Sequence, residues 1–231
     1  MPDTTSRRRD VIAGARAMCP WLVGIVPFGL VIGVSAARAG IPTFAGWLTG
    51  PLIFAGSAQV AVINLLDAGA APVTVIVAAL AINLRLVLYS AAMAPHWRDT
   101  PRWWRALAAY VLVDPSLAVG IDGYERHADP RRGHRFYLGG AALLWVAWLA
   151  AIGCGATLGA RLPGALRLEV VIPLFLAGEV ASRLTGRAAA QAVAAATAAA
   201  LLLMRAPLHL GPVLAIGAGI AAGLRADGTD K

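Results

Sequence analysis

The chain reads as an all-α integral membrane protein, a polytopic bundle of about seven or eight transmembrane helices. Three observations predict this. Of 231 residues 59% are hydrophobic, with a mean hydropathy of +0.71. Only 14% are charged, where a soluble domain carries about 25%. The apolar residues also fall in runs of roughly 18–24, the length that crosses a bilayer as a helix. The polar stretches are short, so the expected organisation is a basic amino-terminal segment at 1–16, a single membrane domain at 17–225 and a tail at 226–231.

The first span, 18–37, follows Arg7, Arg8, Arg9 and Arg16 and superficially resembles a signal peptide. It is too long for an h-region and more spans follow, so it is expected to stay as a helix. The others are expected near 44–66, 73–92, 104–121, 137–159, 169–183, 187–204 and 208–224. The second is interrupted by Gly46, Gly50, Pro51 and Gly56, and the sixth is short and carries Glu169, Pro173 and Glu179. Both are candidates for half-helices or re-entrant pieces. An offset of 122–124 residues pairs PLIFAG at 51–56 with PLFLAG at 173–178, and GVSAARAGIP at 33–42 with GATLGARLPG at 155–164. Repeat halves at 17–122 and 140–225 are the expectation. Small residues four apart, Gly29/Gly33, Gly46/Gly50, Gly155/Gly159 and Gly219/Gly223, are expected to let backbones pack closely.

The net charge of +8 comes almost wholly from arginines in loops and near span ends, so no nucleic-acid partner is needed to explain it. With eight crossings, twelve cationic residues fall on the side of the amino terminus and seven opposite, favouring a cytoplasmic amino terminus. Cys19 and Cys154 show no metal or disulfide spacing and read as packing residues. His96, His127, His134 and His209 read as solvated groups, and Trp97, Trp103 and Trp104 as an interfacial anchor. Neither a cofactor, a metal nor an enzyme motif is indicated.

Four polar places lie at membrane depth. Arg85 sits mid-span at ~2.5–3.5 kcal/mol on insertion scales, so it must face protein, water or a counter-charge. Asn83 lies two residues before it, and Tyr89 shares its helix face at i,i+4. In FAGSAQV, Gly56 would let the helix open so that backbone groups, Ser57 and Gln59 bind a ligand's charged ends. Asp114, beside Pro115, is the best candidate for a proton-accepting carboxylate, and the proline is expected to leave a carbonyl free four residues earlier. Glu179, in LAGEVAS, stands where the repeat places it opposite FAGSAQ. Each has a plainer reading: Gln59 bonded to a neighbouring helix, Arg85 and Asp114 as a structural pair, Glu179 paired with Arg183.

PFGLVIG at 27–33, IFAGSAQVA at 53–61, INLRLVLYSAAMAP at 82–95 and the Asp114 segment together resemble the AzlC family over residues 10–225. That resemblance implies the large subunit of a two-component exporter of branched-chain amino acids in the bacterial cytoplasmic membrane, working with a small AzlD-type membrane subunit. Leu86 stands where the family pattern usually has histidine and Pro115 where a second acid is common, so proton coupling would rest on Asp114. The expectation is a proton-coupled secondary transporter subunit, with Gly56, Ser57, Gln59, Asn83, Arg85 and Tyr89 binding substrate and Asp114 and Glu179 handling protons. The alternative is a membrane scaffold that moves nothing.

Overall fold

Two helices of unusual length set the frame of the computed structural model, which describes residues 4–159, 186–202, 218–219 and 221–226. The chain divides into compact units at 1–172 and 173–231. The first unit contains α1 (Thr4–Arg38), α2 (Thr43–Ile53), α3 (Gly56–Asp67), α4 (Pro72–Asn83), α5 (Arg85–Trp97), α6 (Arg102–Tyr110), α7 (Asp114–Arg126) and α8 (Pro130–Gly159). The second contains α9 (Arg187–Leu202) and helical residues at 218–219 and 221–226, of which Gly219 and Gly223 lie against Ala192. No strand occurs among the described residues. The expected span at 169–183, most of that at 208–224, and the second copy of the PLIFAG repeat lie outside them.

Among the described residues three helices are long and apolar enough to cross a membrane: Ser6–Arg38, Pro72–Trp97 (α4 with α5) and Pro130–Gly159. The 33, 26 and 30 residues of these helices all exceed the ~20 needed for the hydrocarbon core.

Helices α1 and α8 pack side by side along their whole length and run in the same direction. Asp10 meets Arg132 and Arg135 at one end, Gly29 meets Ala151 further along, and Gly159 meets Val34 at the other. Glycine permits the approach. A Cβ on Gly33 would fall on the Ile152 carbonyl, and one on Gly155 on the Leu30 carbonyl. All four GxxxG pairs therefore lie at helix contacts, as their spacing implies. Since the obstacle at Gly33 is backbone, Gly33→Leu is expected to destabilise by about 1–3 kcal/mol, read as a lowered thermal midpoint in detergent.

Two of the expected crossings turn back on themselves. Gln59 donates from Nε2 to Thr49 Oγ1 at 3.0 Å, although ten residues of continuous helix would separate them by about 15 Å along the axis. Helix α2 therefore descends from the end where α1 finishes, the chain reverses at Phe54–Ala55, and α3 returns. The other fold-back is α6–α7. Along α6, Trp104 contacts His134, the Ala108 carbonyl accepts from Tyr137, and Tyr110 accepts from Trp145. Along α7 the order inverts: Val119 lies at Gly140, Gly123 at Phe136 and Tyr124 at Gly133. The α6–α7 pair enters and leaves at the end where α1 begins. Helices of 11, 12, 9 and 13 residues span only about 14–20 Å each, short of a ~30 Å hydrocarbon core.

Residues 44–66 thus take the folded-back form that Gly46, Gly50, Pro51 and Gly56 raised as an alternative, and 104–121, expected as one span, is divided between α6 and α7. Within residues 4–159 the path is α1 along the bundle, α2–α3 as a hairpin from its far end, α4–α5 back along it, α6–α7 as a hairpin from the near end, and α8 parallel to α1. One return helix between α1 and α8 accounts for their common direction.

The end where α1 begins is built from side chains read as solvated. Asp10, only 3% exposed, accepts from Arg132 (3.1 and 3.0 Å) and from Arg135 (2.9 Å), clamping the starts of α1 and α8. Trp97 donates to Tyr124 at 3.0 Å, Tyr124 meets His134 Nδ1 at 2.7 Å, and His96 stacks on Tyr124 at 4.3 Å. His127 Nδ1 lies 2.8 Å from the Gly123 carbonyl. Trp97 and Trp104 are buried, leaving Trp103 exposed, so the expected interfacial anchor is largely a seam joining α5, α6, α7 and α8. Cys19 and Cys154 are both exposed rather than packed.

Candidate functional site

Both hairpin tips stop part-way along the long helices, where the two turn toward one another. Phe54, in the left-handed region (φ 40°, ψ 42°), ends α2, with its N–H on the Gly50 carbonyl at 2.9 Å. Its buried ring stacks on Tyr110 at 5.8 Å. Tyr110 in turn donates to the Pro51 carbonyl at 2.7 Å and accepts from Trp145 at 3.1 Å, satisfying a carbonyl that the end of α2 leaves open. The turn was expected at Gly56, two residues later. Gly56 instead supplies space: a Cβ there would overlap Phe28 and stand 3.1 Å from Trp148 Cη2.

The second tip, Val111–Val113, is closed by Ser116. Its Oγ accepts from the Val113 N–H at 2.8 Å and donates to the Val111 carbonyl at 2.7 Å. Pro115 occupies the first turn of α7, where a missing N–H costs nothing. The carbonyl four residues earlier is thus bonded by Ser116 and not left free as expected.

Helices α3 and α7 both begin at this depth, so two helix amino termini lie in mid-span with their first N–H groups outside the helical ladders. Between them the crossing helix is interrupted at Leu84, where the Leu84 N–H bonds the Ala81 carbonyl at 3.3 Å, and α5 begins with Arg85 itself.

Arg85 links all three elements. Its Nη1 lies 3.1 Å from Asp114 Oδ2, and its Nη2 donates to Ser57 Oγ at 3.0 Å. Tyr89, one turn along α5, donates to Asp114 Oδ1 at 2.6 Å. The Arg85 and Asp114 side chains are 33% and 19% exposed, so the pair is shielded yet reachable. Asn83 Oδ1 and Arg85 Nε are buried with no hydrogen bond among the described residues. Of the residues singled out in the sequence, Ser57, Arg85, Tyr89 and Asp114 therefore meet at one point, with Asn83 beside the break.

Gln59 is elsewhere. Fully buried, it accepts from Trp148 at 3.1 Å and donates to Thr49, which donates to the Gly46 carbonyl at 2.7 Å. This ties both arms of the first hairpin to α8, the plainer of the two readings of that side chain. Gln59→Leu strands the Trp148 N–H and is expected to lower stability by about 1–3 kcal/mol, measurable by denaturant titration. Glu179 lies outside the described residues. Sequence reasoning missed Tyr110, Ser116 and Trp148, which hold the tips in place. The i,i+59 spacing of Pro51 and Tyr110 gives no local signal of their contact.

The family model for AzlC protein matches residues 20–162, more than half of the chain and all of the elements just described from α2 to α8. The chain belongs to the AzlC family. Neither the curated proteins nor the solved structures contain a match. The AzlC family is associated with branched-chain amino-acid transport and not with an enzymatic activity. In this AzlC protein the matched region contains the two hairpins, the interrupted crossing helix and the Arg85–Asp114 pair.

Proposed function

We propose that this AzlC protein is a secondary-transporter subunit that exports zwitterionic amino acids with branched apolar side chains, and that the polar junction around Arg85 is its substrate site. The observation that carries this reading is the Arg85–Asp114 pair in mid-span between the tips of two opposed hairpins. Interrupted helices with termini at that depth are a recurring way of holding charged substrates.

The paired site is neutral overall, and so is a zwitterion. Inserting the ligand between the two ions exchanges one ion pair for two, carboxylate to Arg85 and ammonium to Asp114, with no net charge brought into a low-dielectric region. The amino terminus of α3 adds partial positive charge beside Ser57.

Protonating Asp114 removes the partner of the ammonium, so proton and substrate exclude one another. That exclusion drives substrate outward as protons enter. A small AzlD-type membrane subunit is the expected partner. The folded-back path also bears on orientation. The arginines at 7–9, 16, 98, 102, 105, 126, 131, 132 and 135 lie at the end where α1 begins, and Arg38 at the other. For these twelve residues eight crossings had put Arg98, Arg102 and Arg105 opposite, eight against four; eleven against one supports a cytoplasmic amino terminus.

The reading is tested in cells. Strains lacking this protein and its small partner are expected to accumulate valine or leucine when fed the corresponding dipeptides, and the intact genes to relieve it. Efflux unchanged by the deletion overturns the assignment and leaves the scaffold reading.

A further inference from the structure

We infer that the end of the molecule where α1 begins carries a binding site for the phosphate of an anionic phospholipid, between α1, the end of α7 and the start of α8. An open cavity of about 570 Å³ lies there, lined by Arg9, Ile12, Arg16, Arg126 and Phe136 together with two alanines of α1. Arg9, Ile12 and Arg16 fall on one helix face by their spacing of three and four, so two guanidiniums flank an apolar patch on a single side of α1. Arg126 approaches from α7 and is held by Asp122, whose Oδ1 accepts from Nε at 2.7 Å.

The lining contains three arginines and no carboxylate, and nearby Asp10 is committed to Arg132 and Arg135. With Asp122 offsetting Arg126, the cavity keeps the positive charge of Arg9 and Arg16. Guanidinium groups match phosphate oxygens in planar, bidentate geometry. A soluble anion would use the arginines alone, whereas Ile12 and Phe136 offer apolar surface to an acyl chain or glycerol. Basic pockets between helices at the cytoplasmic edge of a membrane are suited to such headgroups. The inference is independent of what the Arg85 site transports.

The test uses the purified full chain in detergent, unfolded by heat and followed by tryptophan fluorescence. Phosphatidylglycerol is expected to raise the midpoint by several degrees, since a ligand of the folded state stabilises it. Phosphatidylcholine and inorganic phosphate should leave it nearly unchanged. The double variant Arg9→Gln/Arg16→Gln should lose the phosphatidylglycerol increment while keeping its midpoint in phosphatidylcholine. Ala13→Glu, which places a carboxylate in the cavity, should lose it too and serves if the double variant does not fold. Equal stabilisation by phosphatidylcholine, or an increment retained in the variants, overturns the site. Equal stabilisation by phosphate reduces it to a soluble-anion site and overturns the lipid assignment.

Discussion

Arg85→Ala is expected to abolish transport and also to weaken the fold. The substitution strips Asp114 of its cationic partner and Ser57 of its donor at once, while Tyr89 still donates to the carboxylate. Breaking a fully buried pair by removing one ion costs about 3–5 kcal/mol. With the arginine side chain one-third exposed, the loss here should fall below that range. Asp114→Ala should behave alike, stranding the guanidinium. The double variant Arg85→Ala/Asp114→Ala removes both charges together and should be more stable than either single variant, as a coupled pair requires. Thermal midpoints of the four proteins in one detergent check the coupling, and flux in proteoliposomes checks function. A structural pair predicts flux that recovers in the double variant along with stability; a substrate site predicts flux that stays lost. Arg85→Lys retains charge but lacks the planar fork, and should recover stability more than transport.

The second large effect is topological and close to all-or-none. In a background with Cys19 and Cys154 replaced, single cysteines at Ser6, Asp99 and Asp129 should react with an impermeant maleimide from the same side of the membrane, and one at Asp67 from the opposite side. Asp99 decides between the architectures. With 44–66 and 104–121 as full crossings it lies across the membrane from Ser6. With both folded back it lies with Ser6, as the contact of Trp97 with Tyr124 and of Trp104 with His134 requires.

The glycines and proline of 44–66 raised a folded-back form there, but nothing in 104–121 did so, for a physical reason. An apolar run of about twenty residues satisfies lipid equally well as one straight helix or as two half-length arms buried against neighbours, provided the tip's backbone groups are bonded. The bonds that close the tips come from Tyr110, whose partner is remote in the chain, and Ser116, which acts as an ordinary cap. The break at Phe54 is carried by a bulky residue in the left-handed region, where glycine would be the expected signal.

The site itself was more legible. A buried arginine demands a counter-charge, Asp114 is an acid within another apolar run, and Tyr89 follows Arg85 by one turn. Energetic necessity narrows the partners even when topology is misread. The converse error concerns His134, read as solvated, which meets Tyr124 and Trp104 once α6 and α7 fold back against α8. Asp10 is buried against Arg132 and Arg135 by the parallel packing of α1 on α8, a contact across more than 120 residues.

The central claim is that a neutral pair of opposite charges in mid-span accepts a neutral zwitterion. Its most direct test is counterflow of radiolabelled valine in proteoliposomes containing the protein and its small partner, challenged with leucine, N-acetylvaline and valine amide. The account predicts saturable exchange in which leucine competes, while the two blocked analogues, each missing one charge, compete at least about a hundredfold more weakly because a buried ion is left unpaired. Equal competition by the blocked analogues, or exchange that survives Arg85→Ala, contradicts it.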